Sequence, residues 1–196
     1  MEDKYADWIK RFGSVLVDQL GVETRQKVLD HCNICQEISD DKDMAYCVKE
    51  MMVQFDHVVS ENEKRYSVME KIGLLCFNTN FAKIAERVKK KSNSIVEIIQ
   101  KLNTLSGGEC YKLQGNKVYA TFNQCYCQIG VKEVEEPISK TYCRCSLGWM
   151  KNLFKTLLDK LVKVELIESI VSGGKTCQFV IYYEDSNGGE KDGIYE

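Results

Sequence analysis

The sequence is short of several things that would announce a function. Among its 196 residues there are one proline and two histidines, so only His31 and His57 can act as imidazole bases, and a Cys–His pair would have to be assembled across the fold. No Gly-rich phosphate loop, nucleophile elbow or H-E-x-x-H motif is present, and Gly107-Gly108 and Gly173-Gly174 read as turns. No apolar run approaches the about 18 uncharged residues that cross a bilayer. The opening Met-Glu-Asp-Lys lacks the apolar segment and small-residue cleavage site of a signal peptide, which predicts a cytoplasmic protein. Neither half carries a net field: residues 1–100 hold 15 basic and 17 acidic side chains, and residues 101–196 hold 12 and 12. A nucleic-acid footprint would need a basic excess on one face, so no nucleic-acid partner is expected. The one dense basic stretch, Arg87 to Lys91, reads as a solvated helix end.

What is present is the balance of an ordinary globular chain, 44% apolar and 29% charged. Its length suits one compact domain, or a helical region packed against an α+β domain that shares part of its core. The first hundred residues carry helical stripes: Tyr5, Trp8, Ile9, Phe12, Val15 and Leu16, closed by Gly21; a helix over Glu23 to Asp30; then Ala45 to Phe55, Val68 to Ile72, Phe81 to Val88 and Ile95 to Leu102. Phe77 to Asn80 and Ser92 to Ser94 offer N-caps.

The texture changes at Ser106-Gly107-Gly108. Glu109 to Lys112 and Lys117 to Phe122 flank Gly115-Asn116 as a hairpin, with a strand running into Cys125. Ser146 can cap a helix whose apolar face is Trp149, Met150, Leu153, Phe154, Leu157 and Leu158. Val162 to Ile170 and Cys177 to Tyr183 close the fold as strands. The expected class is α+β: a helical region over 1–104, packed on an antiparallel sheet with one long helix over 105–184, and a tail over 185–196.

Ten cysteines carry the chemistry. Four form a doubled C-x-C, Cys125-Tyr-Cys127 and Cys143-Arg-Cys145. In an extended strand residues i and i+2 share a face, so each pair can present both sulfurs one way. Four converging thiolates make a closed tetrahedral site for zinc or, less readily, an iron–sulfur cluster. Cys145 at the start of the Ser146 helix would have its thiol pKa lowered. Reactive or redox thiols and plain burial are the competing readings. Cys32 and Cys35, in the only C-x-x-C, and Cys76 form a second candidate cluster that could join the first as a redox assembly. Cys47, Cys110 and Cys177 are expected in the core.

The stretch Val162 to Ile170, then Gly173-Gly174, then Cys177-Gln-Phe179-Val-Ile181 resembles the closing hairpin of 4-vinyl-reductase-like domains. It is also similar to the end of bacterial proteins related to 2-amino-thiazoline-4-carboxylate hydrolase, and Cys-Arg-Cys-Ser-Leu-Gly-Trp149 looks like a segment of a group of uncharacterised bacterial proteins. The resemblance covers about residues 106–184. It implies the α+β fold shared by nitric-oxide-sensing haem domains and Golgi-transport ligand-binding proteins, and a sensory or accessory module for small hydrophobic or tetrapyrrole-like ligands. No haem-ligating histidine stands on the predicted pocket helices. The expected function is therefore small-ligand binding with a cysteine-thiolate metal site, and a homodimer is a candidate assembly. The alternative is a thiol-dependent hydrolase of a small cyclic amino acid or amide, with Cys32 or Cys145 as nucleophile.

Overall fold

A computed structural model describes residues 3–30, 38–127, 129–133 and 135–183. The expectations for His31, Cys32, Cys35 and the tail 185–196 fall outside these residues. The described chain runs α1 (Asp3–Leu20), α2 (Val22–Leu29), α3 (Asp41–Val58), α4 (Asn62–Asn80), α5 (Ala82–Lys90), α6 (Ile95–Ser106), β1 (Tyr111–Gln114), β2 (Lys117–Phe122), α7 (Arg144–Leu158), β3 (Lys163–Glu168) and β4 (Cys177–Tyr182). The α+β class holds, and the helical stripes become the elements they anticipated.

Local chemistry sets the boundaries. Gly21 separates α1 from α2 at φ 87°, a left-handed conformation that other residues avoid. Asp40 accepts the Asp43 amide, 2.9 Å, at the start of α3. A capping box opens α6: the Glu97 amide donates to Ser94 Oγ, 3.3 Å, and the Asn93 amide donates to the Glu97 carboxylate, 3.0 Å. Gly107, at φ 70°, ends that helix. The basic stretch closes α5, where Lys89 pairs with Asp159 at 3.0 Å.

Three local expectations are corrected. Helix α4 runs through Asn80 with no cap before Phe81; Thr79 Oγ1 donates back to the Leu75 carbonyl instead. Phe77 and Phe81 both meet Trp149, with ring centroids 5.8 and 5.2 Å away, so packing on α7 carries the helix on. The strand into Cys125 does not form, since β2 stops at Phe122. Ser146 is not the cap of α7: that helix begins at Arg144, and Ser146 Oγ donates to the Cys143 carbonyl at 2.6 Å.

The four strands make one sheet in the order β1-β2-β4-β3, antiparallel throughout. The last strand thus lies between the first hairpin and β3, and a bulge interrupts β3 between Leu166 and Glu168. Val118, Ala120 and Phe122 alternate inward on β2, with Phe179 and Ile181 on β4, and pack with α5, α6 and α7 into one apolar cluster. A second cluster joins α1, α3 and the first half of α4 to Ile129, Val131, Ile138 and Tyr142 of the segment between β2 and α7. Leu166 touches both.

Candidate functional site

Two glycines place the site. At the crossing of α4 and α7, a Cβ on Gly73 would lie 1.8 Å from the Cys145 carbonyl oxygen, and one on Gly148 2.0 Å from that of Glu70. The helix backbones therefore touch, and Lys151 spans the contact to Glu70 at 2.6 Å. Arg144 stacks over the Tyr66 ring, 3.9 Å from its centroid. One turn beyond Gly73, Cys76 is carried towards the start of α7.

The segment before α7 is tied down from the other side. Asp56 of α3 accepts the Thr141 hydroxyl at 2.6 Å and the Ser139 hydroxyl, and pairs with Arg65 of α4 at 3.0 Å. Tyr142 follows, fully buried against Trp8 at 6.1 Å between rings. Its hydroxyl shares a 3.0 Å hydrogen bond with Cys127 Sγ. A tight turn then feeds the helix, the amides of Arg144, Cys145 and Ser146 each donating at 3.1 Å to the carbonyls of Thr141, Tyr142 and Cys143.

Cys76, Cys125, Cys127, Cys143 and Cys145 thereby gather against the second apolar cluster, that of α1, α3 and α4. Cys145 lies within electrostatic range of the other four, and Cys143 of Cys125 and Cys177. Three sulfurs here have a further polar neighbour. Arg11 donates to Cys76 at 3.6 Å. Ser172 donates to Cys143 at 3.9 Å, and the Ile170 amide donates to Cys177 at 3.5 Å.

Burial governs the charge state. It raises the Cys127 thiol to about 11 and the Cys143 thiol to about 12, against the Tyr142 and Ser169 hydrogen bonds that pull them down. Cys145 and the Tyr142 phenol are pushed well above their ordinary values, by burial first and by neighbouring thiols next. Cys76, Cys125 and Cys177 move up for the same reason, Arg11 opposing at Cys76. The expected lowering at Cys145 is corrected: burial of the thiol dominates, and its own amide and that of Ser146 are already spent inside the turn, so the helix start has little left to hold a thiolate.

The doubled C-x-C is thus brought together, joined by Cys76, but not as two strand pairs. Cys125 and Cys127 lie in the irregular segment after β2, while Cys143 and Cys145 flank the first turn of α7, where i and i+2 point apart. Among the described residues no three His, Cys, Asp or Glu side chains stand ready to hold a metal ion. Cys47 is buried as expected and is also disulfide-bonded, which burial alone did not anticipate; the seven other described cysteines are free. Cys110 and Cys177 are half-buried against the sheet cluster. His57 is exposed near the end of α3.

Sequence reading missed Tyr142, Arg11 and Asp56, which carry no motif. The two glycines did leave a signal: an isolated glycine inside a helical stripe marks a close backbone approach.

The DUF6144 family model, described as a family of unknown function, matches residues 73–187, which is more than half of the chain. The chain belongs to this family. The DUF6144 match begins at Gly73 and takes in Cys76, both C-x-C pairs and the closing strands. No curated protein matches the chain. Among solved structures it is similar to the Fe(II) unliganded H-NOX protein from K. algicida, 13% identical with a TM-score of 0.48 over 94% of this chain and 98% of that one. A point mutant of that protein gives 14%, 0.48, 92% and 96%. The H-NOX domain from Shewanella oneidensis in the Fe(II)CO ligation state gives 11%, 0.43, 91% and 97%. Likenesses this distant transfer neither ligand nor role, and none of these matches carries the finer resemblance to 4-vinyl reductases or to the hydrolase.

Among the described residues no histidine is placed inside the fold to ligate a haem. Their one histidine, His57, is exposed, and the space between the helices and the sheet is filled by the two apolar clusters. The hydrolase alternative also finds no support in this arrangement. Its nucleophile candidate Cys145 is held neutral, and the hydroxyl at hand, Tyr142, is held neutral too. No helix of the described residues is long and apolar enough to cross a membrane.

Proposed function

We propose that this DUF6144 protein is a small-ligand-binding sensory or accessory module, and that the thiol cluster is its binding centre. The ligand is a thiophilic metal ion, zinc foremost, taken by Cys125, Cys127, Cys143 and Cys145 with Cys76 as a further sulfur beside them. One observation supports the reading above the others. The thiols of Cys76, Cys125, Cys127 and Cys143 all lie within electrostatic range of Cys145, so three chain segments contribute sulfur to one neighbourhood. Soft sulfur donors without oxygen or imidazole partners favour zinc or iron–sulfur over harder ions. Cys125 and Cys127 sit outside helix and strand, so these two side chains can turn without breaking secondary structure. Thiolate ligation requires these five cysteines reduced, as they are beside the disulfide-bonded Cys47, and the cytoplasm is our assignment of compartment.

The test is elemental analysis and an absorption spectrum of protein purified under reducing conditions, beside a Cys143→Ser, Cys145→Ser double variant. Stoichiometric zinc in the parent and its loss in the variant support the reading. Brown, iron-containing protein would move the centre to an iron–sulfur cluster. Metal-free protein that also fails to take up zinc or cobalt on titration would sink the metal assignment.

A further inference from the structure

Away from the thiols, an open cleft of about 310 Å³ lies between the end of α6 and the segment that follows β2. Its wall includes Glu109, Cys110, Thr121, Asn123, Gln124 and Tyr126, and no basic side chain lines it. Three features give it one electrostatic sign. Glu109 is exposed and forms no ion pair among the described residues. The negative end of the twelve-residue α6 opens onto it at Ser106 and Gly107. That helix carries no basic residue in its last turn to offset the dipole. The cleft also holds an aromatic ring: Tyr126 is 54% exposed, and Phe122 fixes it edge-on at 5.5 Å.

A carboxylate, a helix C-terminus and an open tyrosine ring answer one chemical class. Positive charge is met by the carboxylate and the dipole, and alkylated nitrogen is met by the ring through cation–π attraction. We propose that this cleft binds a small organic cation bearing an ammonium group, with Glu109 and the end of α6 meeting its charge and Tyr126 its alkylated face. The volume of the cleft is at the lower end of ordinary small-molecule pockets, and the side amides of Asn123 and Gln124 are left to bond the polar substituents of the ligand. This site requires none of the buried thiols, although Tyr126 stands between Cys125 and Cys127 and so ties an occupant to the segment that supplies two of them.

Cys110 in the wall is a built-in reporter. Methanethiosulfonate reagents transfer their thioalkyl group to a cysteine sulfur and release methanesulfinate, forming a mixed disulfide. The labelling rate at Cys110, followed by peptide mass, is compared for a trimethylammonium and a sulfonate reagent of equal size. Both rates are normalised to those of an unstructured peptide carrying the same cysteine. The folded chain should prefer the cationic reagent over the peptide by roughly tenfold, the factor one carboxylate at contact range produces near a protein surface. Glu109→Gln should remove most of that preference. Tetramethylammonium should slow cationic labelling in the parent, and Tyr126→Ala should abolish this protection while leaving part of the charge preference. A preference equal to the peptide's, or labelling indifferent to tetramethylammonium, would overturn the proposal. Both results would leave the zinc titration of the thiol cluster unaffected, so the two sites fail separately.

Discussion

Gly73 of α4 rests against the carbonyl of Cys145 of α7, so closely that a methyl group on Gly73 would stand 1.8 Å from that oxygen. The obstacle is backbone, which cannot rotate away as a side-chain tip can. The contact fixes both the crossing of the two helices and the distance of Cys76 from the thiols at the start of α7.

Gly73→Ala should therefore destabilise by about 3 kcal/mol or more, at the upper end of overpacking costs, despite alanine's better helix propensity. Gly148→Ala, which would meet the Glu70 carbonyl at 2.0 Å, should behave alike. Gly108→Ala, with nothing within 4 Å, is the reference and should stay within about 0.5 kcal/mol of the parent. Urea unfolding measures all three. Equal midpoints for Gly73→Ala and Gly108→Ala would show that the helices can part freely.

Stability should fall on the alkaline side. Cys127 and Cys143 titrate near 9 when free and at about 11 and about 12 when folded. A folded value above the unfolded one means the contribution is complete below about pH 9 and is lost as pH rises towards the folded value, because the unfolded chain then sheds protons that the native state still holds. Cys127 alone accounts for a loss on the order of 2 to 3 kcal/mol by pH 11. Unfolding midpoints of the metal-free protein, measured anaerobically with reductant and chelator, should be flat from about pH 6 to 8 and should drop above about pH 9. A midpoint that rises or holds over the alkaline range would mean the thiols are not buried as described.

How much of this was legible in the sequence varies with the range of the forces involved. Helical stripes such as Tyr5, Trp8, Phe12 and Val15 are short-range patterns, and they gave the right elements. So did the Gly115-Asn116 hairpin and the Ser94 cap. The doubled C-x-C marked two segments whose thiols come within electrostatic range of one another. Its geometry did not follow, because whether Cys143 and Cys145 lie on a strand or on a helical turn depends on where α7 starts. That start is set by the Asp56 bonds to Ser139 and Thr141, contacts more than eighty residues apart in the chain. The direction of the Cys145 shift failed for a related reason. A helix start lowers a thiol pKa only if its amides are free and water is near; here the local turn uses the amides and tertiary packing excludes the water.

Asp56 should matter more than a surface carboxylate. Its partner Arg65 has a side chain only 12% exposed, so Asp56→Ala removes the carboxylate facing a nearly buried guanidinium, which keeps only neutral acceptors in the Asp56 and Val59 carbonyls and Asn62, and leaves two hydroxyls without their acceptor. A loss of about 2 to 4 kcal/mol is expected, most of it from the unpaired cation. Asp56→Asn retains an acceptor oxygen for one of the two hydroxyls and should recover part of it. Thermal unfolding checks the stability, and native-state alkylation of Cys143 and Cys145 checks the site. Faster alkylation in Asp56→Ala would tie this anchor to the thiols, whereas lost stability with unchanged alkylation would detach it from them.

Tyr142→Phe isolates the hydroxyl that Cys127 shares. The ring and its contact with Trp8 remain, so only one hydrogen bond is lost, at a cost of about 1 kcal/mol. The chemical effect differs from the stability effect. The Tyr142 bond is what partly offsets burial at Cys127, so its removal should push that thiol further up and slow its reaction with iodoacetamide. A variant that opened the structure would speed the same reaction. The sign of the rate change at Cys127, read by peptide mass with Cys110 as internal reference, therefore separates a lost hydrogen bond from a loosened core.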